Sequence, residues 1–370
     1  MQITELKLTN FKNYDLQALR LSPRLNCFTG LNGMGKTNLL DAVHYLCLCK
    51  SHTGLADKNL VRHGESFFRL EGHFETNPGE NEKVVVKYQT GHRREIERNG
   101  APVARLTDHI GHFPVVMIAP DDVSLLQEGS EERRRFLDTT LSQIFPEYLG
   151  NLMLYNALLK QRNALLKQFS ERSYFDANLL VAIDRQMTGP AELLFEKRKD
   201  FTVEFGPLFS HLYTVISGSR EQVTVNYLAD LSRESLPDLF RGSLEKDRIL
   251  QRTGAGPHRD DLELLMDGHA VRKFASQGQL KSFLLAMRLG QYEVLREEKK
   301  VSPMLLLDDI FDKLDEQRVL QLIRLLIDRS YGQIFITDTQ RSRMEDVVRS
   351  YEGEYVLFEV QDGAVSPPPR

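Results

Sequence analysis

Short apolar runs alternate with helically spaced apolar residues along this chain, which is the pattern of an α/β fold. Residues 25–29 predict a short buried strand, and the apolar residues between Leu39 and Leu46 predict a helix soon after it. The four apolar residues 304–307 predict a central parallel strand that is buried on both faces. Residues 333–338 are strand-like as well. We therefore expect one sheet built from both ends of the sequence.

The first 115 residues otherwise read as strands and turns around that single helix. Residues 84–88 form a strand-like run, and Asn99-Gly100 has the composition of a tight hairpin turn. Much later, residues 262–266 and the Asp-Gly pair after them predict a strand and a hairpin. We expect this hairpin to return to the sheet of the first part.

Between about residues 131 and 215 the apolar positions predict long amphipathic helices. Because the candidate binding motifs described below lie near residue 30 and beyond residue 270, we interpret this stretch as an insertion in one α/β domain. The predicted organisation is an α/β domain made of residues 1–115 and 250–365, an inserted mainly helical domain at 116–249, and a disordered tail at 366–370.

A complete phosphate-binding loop, matching G-x-x-x-x-G-K-[ST], links the first predicted strand to its helix. Its glycines let backbone N–H groups turn toward phosphate oxygens, and the helix N-terminus adds a partial positive charge. Lys36 is expected to reach the β- and γ-phosphates, and the Thr37 hydroxyl to hold Mg²⁺. A chance glycine-rich turn is the alternative, and the flanking strand and helix argue against it. The residues assigned to ATP here are Gly30, Leu31, Asn32, Gly33, Met34, Gly35, Lys36, Thr37 and Asn38.

Two carboxylates, Asp308 and Asp309, follow the apolar run at 304–307. Ligands of open α/β sheets bind at the carboxyl ends of strands, so these side chains are candidates for the same site. Asp308 is expected to anchor Mg²⁺ directly or through water, and Asp309 to orient or polarise an attacking water. A plain helix cap is the alternative for such a pair. The expected catalytic residues are Lys36, Asp308 and Asp309, with Thr37 and Asp308 on the metal.

A second polar segment precedes an amphipathic helix between these two motifs. A serine, a glycine and two amides at a helix N-terminus form an anion-binding surface, although a simple N-cap serine is the alternative. The position of the segment, one element before the acidic strand, favours an ATPase signature. Its residues, which we assign to nucleotide binding, are Ser276, Gln277, Gly278 and Gln279.

Three other stretches carry a resemblance to a known family. Residues 6–14 resemble the first strand and turn of the RecF family, which are bacterial recombination mediators within the ABC-type ATPases that also include the SMC proteins. Residues 120–138 and the sequence Gly-Pro-His-Arg-Asp-Asp at 256–261 resemble segments peculiar to that family. The resemblance covers nearly the whole chain. It implies an SMC-like P-loop ATPase head with a mixed sheet, carrying an inserted helical lever.

The resemblance also implies a function. Such proteins form an ATP-dependent homodimer in which the signature of one subunit contacts the nucleotide of the other. By that analogy Ser276, Gln277 and Gly278 touch the γ-phosphate, and Leu314-Asp315 forms the loop that communicates between the sites. The resemblance further implies a weak, DNA-stimulated ATPase activity and binding to single- and double-stranded DNA at gaps. It acts with RecO and RecR proteins in RecA loading, replication recovery and the SOS response.

Three positions depart from the wider ABC-type pattern. Asp309 stands where most members have glutamate, one methylene longer, which predicts slow turnover. The last predicted strand of the site ends without a switch histidine, which leaves Asp338 or Thr337 to serve in its place. Residues 50–53 resemble a family loop that often carries an arginine next, but none occurs before Arg62. We therefore assign no nucleotide contact to this loop.

Composition is consistent with this interpretation. With 370 residues, 41% of them hydrophobic and 27% charged, the chain can form two domains with ordinary soluble surfaces. No apolar run reaches about 18 residues, and the first residues lack the pattern of a signal peptide. Cys27, Cys47 and Cys49 have no metal-type spacing, and their odd number argues against a disulfide framework. We expect a cytoplasmic protein with no membrane partner.

The net charge of the chain gives no support to the expected DNA binding. The chain has 48 Lys and Arg against 52 Asp and Glu, a net charge of −4, so no overall field attracts it to nucleic acid. Binding then needs a local basic surface, which dimerisation can complete. Four clusters are candidates, although each is more typical of a solvated face. They are residues 92–94 with Arg98, 133–135, 160–167 and 197–199.

Two other functions share the phosphate loop. A transporter ATPase subunit is disfavoured by the long helical insertion and by the missing switch histidine. A monomeric P-loop NTPase would need no signature, so substitution of Ser276 would leave its activity intact.

Overall fold

The computed structural model describes residues 1–172, 174–218, 221–311, 331–349, 351 and 353–366. In chain order, its strands are β1 (Gln2–Phe11), β2 (Tyr14–Arg20), β3 (Leu25–Thr29), β4 (Phe67–Asn77), β5 (Glu80–Gln89), β6 (Glu95–Arg98), β7 (Ala101–Pro102), β8 (Val115–Ile118), β9 (Val223–Leu228), β10 (Asp261–Met266), β11 (His269–Ala270), β12 (Met304–Leu307), β13 (Ile334–Asp338), β14 (Tyr355–Gln361) and β15 (Ala364–Ser366).

Helices connect the strands and dominate the middle of the chain. Those within the described residues are α1 (Lys36–Leu48), α2 (Ser124–Gln127), α3 (Ser130–Ile144), α4 (Pro146–Arg172), α5 (Ala177–Ser217), α6 (Leu236–Leu250), α7 (Val271–Phe274), α8 (Gln277–Lys299) and α9 (Arg341–Arg349).

A six-stranded, mainly parallel sheet positions the candidate site. Its strand order is β15-β14-β3-β13-β12-β8, and only the edge strand β15 pairs antiparallel. Strands β3, β8, β12 and β13 are buried at every residue, as expected for strands covered on both faces. The predicted strands at 25–29 and 304–307 are thus confirmed. Because they are parallel, their carboxyl ends lie at one edge of the sheet.

Helix α1 lies between this sheet and a six-stranded antiparallel sheet of order β2-β1-β4-β5-β6-β7. It contacts β1, β4 and β5 on one side and β8 and β13 on the other. Nearly all of its residues are buried, which is how a helix without a polar face is accommodated. The predicted Asn99-Gly100 turn between β6 and β7 is confirmed, since both residues have the positive φ that the turn requires (52° and 78°).

The chain divides into two compact units, residues 1–122 with 281–370 and residues 123–280. The sequence instead placed the boundaries after residues 115 and 249. The difference arises because β10 pairs antiparallel with β9 and β11 in a separate three-stranded sheet. The expectation that this hairpin returns to the first sheet is therefore wrong. Residues 276–279 consequently belong to the second unit.

The second unit is mainly helical, and α4 packs against the 41-residue helix α5. Asp176 caps the N-terminus of α5 by accepting hydrogen bonds from the backbone of residues 178 and 179. Along its buried face Phe201, Phe205 and Phe209 recur every four residues, so their rings stack with centroids 5.1 and 5.8 Å apart. These long amphipathic helices were predicted from the spacing of apolar residues.

A buried arginine organises the core of the second unit. The Arg198 guanidinium donates to Asp260 Oδ2 at 2.7 Å, to Asp138 Oδ1 at 2.9 Å and to the Pro257 carbonyl at 2.7 Å. Burial raises the pKa of Asp260 to about 6, and Arg198 opposes that rise. Asp138 and Asp260 come from the two stretches with family-specific resemblance, so both stretches serve this polar core.

Carboxylates of the same unit pair with many members of the candidate basic clusters, although Arg93 and Lys160 are exposed. The interpretation as a solvated face is wrong for Arg133, Arg162 and Arg198, which are buried against carboxylates of the same unit. Most other members pair at the surface: Arg98 with Glu82, Arg135 with Glu132, Lys167 with Glu171, Lys197 with Glu147, and Lys199 with Glu196.

Replacing Arg198 by methionine should lower the free energy of unfolding by about 3–5 kcal/mol, because Asp138 and Asp260 lose the cation they face. Urea unfolding followed by circular dichroism measures the change. The control is Arg241→Met, whose side chain is 78% exposed and pairs with Asp238 along the same helix. It should change little. A loss below about 1 kcal/mol for Arg198→Met would contradict the buried-pair argument.

Candidate nucleotide-binding site

The predicted phosphate loop joins the end of β3 to the start of α1 and is tightly packed at two glycines. Gly30 has φ 155°, and a Cβ there would lie 2.2 Å from the carbonyl oxygen of Val360. Gly35 has φ 112°, and its Cβ would lie 2.5 Å from Asn13 Nδ2. Each glycine therefore permits both a backbone conformation and a close approach that other residues resist.

Two side chains brace the loop: Asn13, from the turn between β1 and β2, and Tyr14, the first residue of β2. Asn13 Nδ2 donates to the Met34 carbonyl at 3.0 Å, and Asn13 Oδ1 accepts from Asn38 Nδ2 at 2.7 Å. The buried Tyr14 hydroxyl donates to the Gly35 carbonyl at 3.0 Å, and burial raises the pKa of Tyr14. Sequence reasoning assigned this turn only to a strand connection, because nothing local shows that it reaches residues 34–38.

Residues near the other end of the chain support the same loop. The Gly363 backbone N–H donates to the Met34 carbonyl at 3.1 Å, and the Thr29 hydroxyl donates to the Phe358 carbonyl at 3.1 Å. Together with the approach of Gly30 to Val360, these contacts fix the loop against β14 and the turn that follows it.

Lys36 is the first residue of α1, and its side chain turns back into the phosphate loop. Its Nζ donates to the carbonyl oxygens of Gly30 at 2.7 Å and Leu31 at 2.9 Å. Burial lowers the pKa of Lys36, and the carboxylates of Asp309 and Asp308 counteract part of this effect. The amine is thus held by neutral carbonyl oxygens, and a negatively charged acceptor can replace them.

Asp308 connects the phosphate loop to the strands beside it. Its Oδ2 accepts from the Thr37 hydroxyl at 2.8 Å, and its Oδ1 accepts from the Thr337 hydroxyl at 2.7 Å. Burial raises the pKa of Asp308, and these two hydrogen bonds oppose that rise. The structure therefore brings the two predicted metal-binding side chains into direct contact. One open pocket is lined by Asn32, Gly33, Gly35, Lys36, Thr37, Asn38, Asp308 and Asp309.

Asp309 has an unusual backbone conformation beside this pair. Its φ is 44°, in the left-handed region that residues other than glycine adopt less readily. Its backbone N–H donates to Thr337 Oγ1 at 2.9 Å, so Thr337 links both aspartates. Asp338 instead accepts from Arg343 at 2.8 Å and from the Gln340 backbone at 2.6 Å. Of the two residues expected in place of a switch histidine, Thr337 is the one at the aspartates.

Residues 50–53 contribute His52 to a charged network of the first unit. His52 Nε2 lies 3.0 Å from Asp122 Oδ1, which also accepts from Arg288 at 2.9 Å. Burial disfavours a charged Asp122, but Arg288 and His52 lower its pKa below the usual range. The sequence did not indicate this role for Arg288, because a single cation on a predicted amphipathic helix is usually a surface residue.

The signature segment forms a capping box at the start of α8 in the second unit. Ser276 Oγ accepts from the Gln279 N–H at 3.3 Å, and Gln279 Oε1 accepts from the Ser276 N–H at 2.7 Å. The Gln279 side chain, expected to contact nucleotide, is thus already used in capping. Ser276 and Gln277 are exposed. The predicted Leu314-Asp315 loop lies outside the described residues.

The donor set of the first unit suits a hard cation that shares its coordination with phosphate. Among the described residues, no group of three or more His, Cys, Asp and Glu side chains is assembled for a metal. Thr37 and Asp308 supply one hydroxyl and one carboxylate, which matches Mg²⁺ bound by few protein oxygens plus substrate phosphates.

Comparison with known proteins agrees with this geometry. The family model for the RecF/RecN/SMC N-terminal domain matches residues 2–361. The DNA replication and repair protein RecF of Porphyromonas gingivalis is 42% identical over 99% of this chain and 100% of its own length. The RecF of Phocaeicola vulgatus is 41% identical over 99% of this chain and 98% of its own.

This chain belongs to the RecF family.

Solved structures extend the comparison to the fold. The RecF–ATP structure in the RecFOR pathway is 30% identical, with a TM-score of 0.90, and covers 100% of this chain and 98% of its own. An Smc head domain with an extended coiled coil from Pyrococcus furiosus is 16% identical with a TM-score of 0.57, and shares the fold. The predicted ABC-type, SMC-like α/β class is confirmed. The predicted function as an ATPase of DNA replication and repair is confirmed as well, and it is favoured over a transporter ATPase subunit or a monomeric P-loop NTPase.

Within the part of the chain that the structure describes, no helix is both long enough and apolar enough to cross a bilayer.

Tyr14→Phe should weaken nucleotide binding about 2- to 10-fold, because the loop loses one brace, while the Gly35 carbonyl keeps the backbone N–H groups of Asn38 and Leu39 as donors. Titration with a fluorescent ATP analogue measures the dissociation constant. Tyr88→Phe is the matched control, since that hydroxyl has no hydrogen-bond partner among the described residues. Equal affinities for both variants would show that the brace does not shape the site.

Proposed function

We propose that this RecF-family protein binds ATP and Mg²⁺ in the pocket of the first unit, dimerises when ATP is bound, and then binds DNA. The observation that carries the proposal is the 2.8 Å hydrogen bond between the Thr37 hydroxyl and the Asp308 carboxylate. It joins the phosphate loop to the acidic strand at the place where a Mg²⁺–triphosphate needs both groups.

In this proposal the backbone N–H groups of residues 30–38 hold the phosphates. Lys36 exchanges its bonds with the Gly30 and Leu31 carbonyls for bonds with the β- and γ-phosphate oxygens, which are stronger because both partners are charged. Thr37 and Asp308 would hold Mg²⁺, which would neutralise phosphate charge when bound. The RecF structure with ATP, 30% identical along the whole chain, supports this choice of nucleotide.

Asp309 orients the attacking water in the proposed hydrolysis. Its backbone is fixed by the hydrogen bond to Thr337, so the carboxylate starts from a defined position at the edge of the sheet. Its short side chain places the carboxylate about one C–C bond further from the γ-phosphate than a glutamate could reach. We therefore expect slow turnover, and from the family resemblance we propose that DNA stimulates it.

The second subunit completes each site through residues 276–278. Ser276 and Gln277 are exposed, and the first turn of α8 presents N–H groups suited to an anion. In the proposed dimer these groups contact the γ-phosphate held by the facing subunit. ATP then links the two subunits directly.

The DNA partner is single- and double-stranded DNA at gaps, bound by the ATP dimer with proteins of the RecO and RecR type. The RecFOR pathway given for a structural relative supports these partners. The net charge of −4 gives no overall attraction to nucleic acid, so in this proposal DNA binds a local basic surface that dimerisation completes. The protein would act in the cytoplasm, in RecA loading, replication recovery and SOS induction.

ATP with Mg²⁺ should convert the monomer to a dimer, and Lys36→Met and Ser276→Arg should each abolish the conversion. Sedimentation velocity measures the mass, and Asp309→Asn should prolong the dimer by slowing hydrolysis. Ser66→Arg, an equal change at an exposed serine of the first unit, serves as the control. A monomer that hydrolyses ATP normally with Ser276→Arg would refute the shared site.

Asp309→Glu should raise the single-turnover hydrolysis rate several-fold, on the order of 10-fold, because the longer carboxylate brings the base nearer to the attacking water. Rapid-quench measurement with a slight excess of protein over ATP gives this rate. Asp309→Asn is the control for a lost base and should reduce it. An unchanged or lower rate for the glutamate variant would rule out the short side chain as the cause of slow turnover.

A further inference from the structure

A carboxylate that no sequence motif contains connects the longest helix of the second unit to the signature segment. Glu221 accepts a hydrogen bond through Oε2 from the hydroxyl of Tyr213, near the C-terminal end of α5. Through Oε1 it accepts from Gln279 Nε2 at 2.6 Å. All three residues lie within the same compact unit.

Both ends of this connection are fixed. Tyr213 is fully buried, one turn before α5 ends at Ser217. At the other end, Gln279 Oε1 accepts from the backbone N–H of Ser276 at 2.7 Å, and Ser276 Oγ accepts from the Gln279 N–H. The link therefore leads from the core of α5 through Glu221 and Gln279 to Ser276.

Glu221 determines which way the Gln279 amide points. If the amide were reversed, its oxygen would face the Glu221 carboxylate and its NH₂ group would face the Ser276 N–H. Both contacts would be repulsive, so the charge at residue 221 selects the orientation that closes the capping box. This selection leaves the Ser276 hydroxyl hydrogen and the N–H groups at the start of α8 for an incoming anion.

We propose that Glu221 is the positioning residue of the signature. It holds Ser276 in the orientation that receives the γ-phosphate of the facing subunit, and it makes that orientation depend on the end of α5. This inference rests on the proposed ATP-dependent dimer and deepens it. Glu221 itself touches no nucleotide, because its two carboxylate oxygens face Tyr213 and Gln279.

Glu221→Gln is the first test. The amide at residue 221 lacks the charge that selects the orientation of Gln279. It either presents its NH₂ group to that of Gln279 or turns over and donates to the Tyr213 hydroxyl, so the capping box is no longer held in a single orientation. We expect ATP-dependent dimerisation to weaken about 10-fold, while ATP affinity of the monomer and the melting temperature stay unchanged. Sedimentation equilibrium, nucleotide titration and thermal melting give the three values. Glu263→Gln is the matched control, since this carboxylate also accepts from a neighbouring amide, Asn226, in the same unit.

The double variant Glu221→Gln with Gln279→Glu decides the mechanism. Glutamate is a natural capping-box partner for Ser276, and the amide introduced at residue 221 can donate to it, so the link is restored with donor and acceptor exchanged. We expect dimerisation to return to within about 2-fold of the wild type, whereas Gln279→Glu alone, with two facing carboxylates, should remain weak. Thermal melting of all three variants separates this rescue from a recovery of stability.

The outcomes separate the two proposals. If the wild type does not dimerise with ATP, the proposed function fails and the role of Glu221 fails with it. If the wild type dimerises, Ser276→Arg abolishes this and Glu221→Gln behaves like the wild type, only the inference about Glu221 is overturned. A double variant as weak as Glu221→Gln also overturns it, because the effect would then not pass through the hydrogen bond to Gln279.

Discussion

The carboxylate of Asp308, held between two threonine hydroxyls, is the contact on which the first unit depends. Thr37 belongs to the first helix and Thr337 to a strand that follows the insertion, so one side chain joins segments about 300 residues apart in sequence. Asp308 is buried, which makes an ionised carboxylate costly unless both oxygens accept hydrogen bonds. The two side chains that we propose for Mg²⁺ are thus held together by the protein itself.

Local motifs made the candidate site predictable. A phosphate loop places its glycines, lysine and threonine within eight residues, so strand, turn and helix follow from sequence alone. The acidic pair was found because an apolar run ends at it. The sequence could not show that Thr337 joins the two aspartates, or that Asn13 and Tyr14 brace the loop, because those contacts depend on tertiary pairing.

The second unit was less predictable for the same physical reason. Arg133, Arg162 and Arg198 look like surface cations in sequence, and only the fold shows which carboxylates neutralise them. Strand β10 has the pattern of a half-buried strand, but that pattern does not name its neighbour, so its pairing with β9 was missed. Helix existence, in contrast, follows from periodicity and was predicted correctly for α3, α4 and α5.

The packing of the phosphate loop against β14 also has a consequence for biosynthesis. Gly30 lies against the Val360 carbonyl, and Met34 accepts a hydrogen bond from Gly363. During synthesis, residues 30–35 leave the ribosome early. They lack this support until more than 300 further residues have been added. A chain that stops before residue 358 carries every nucleotide-binding motif but lacks the surface that shapes the first of them. The phosphate loop therefore gains its full set of supporting contacts only after translation has passed that point.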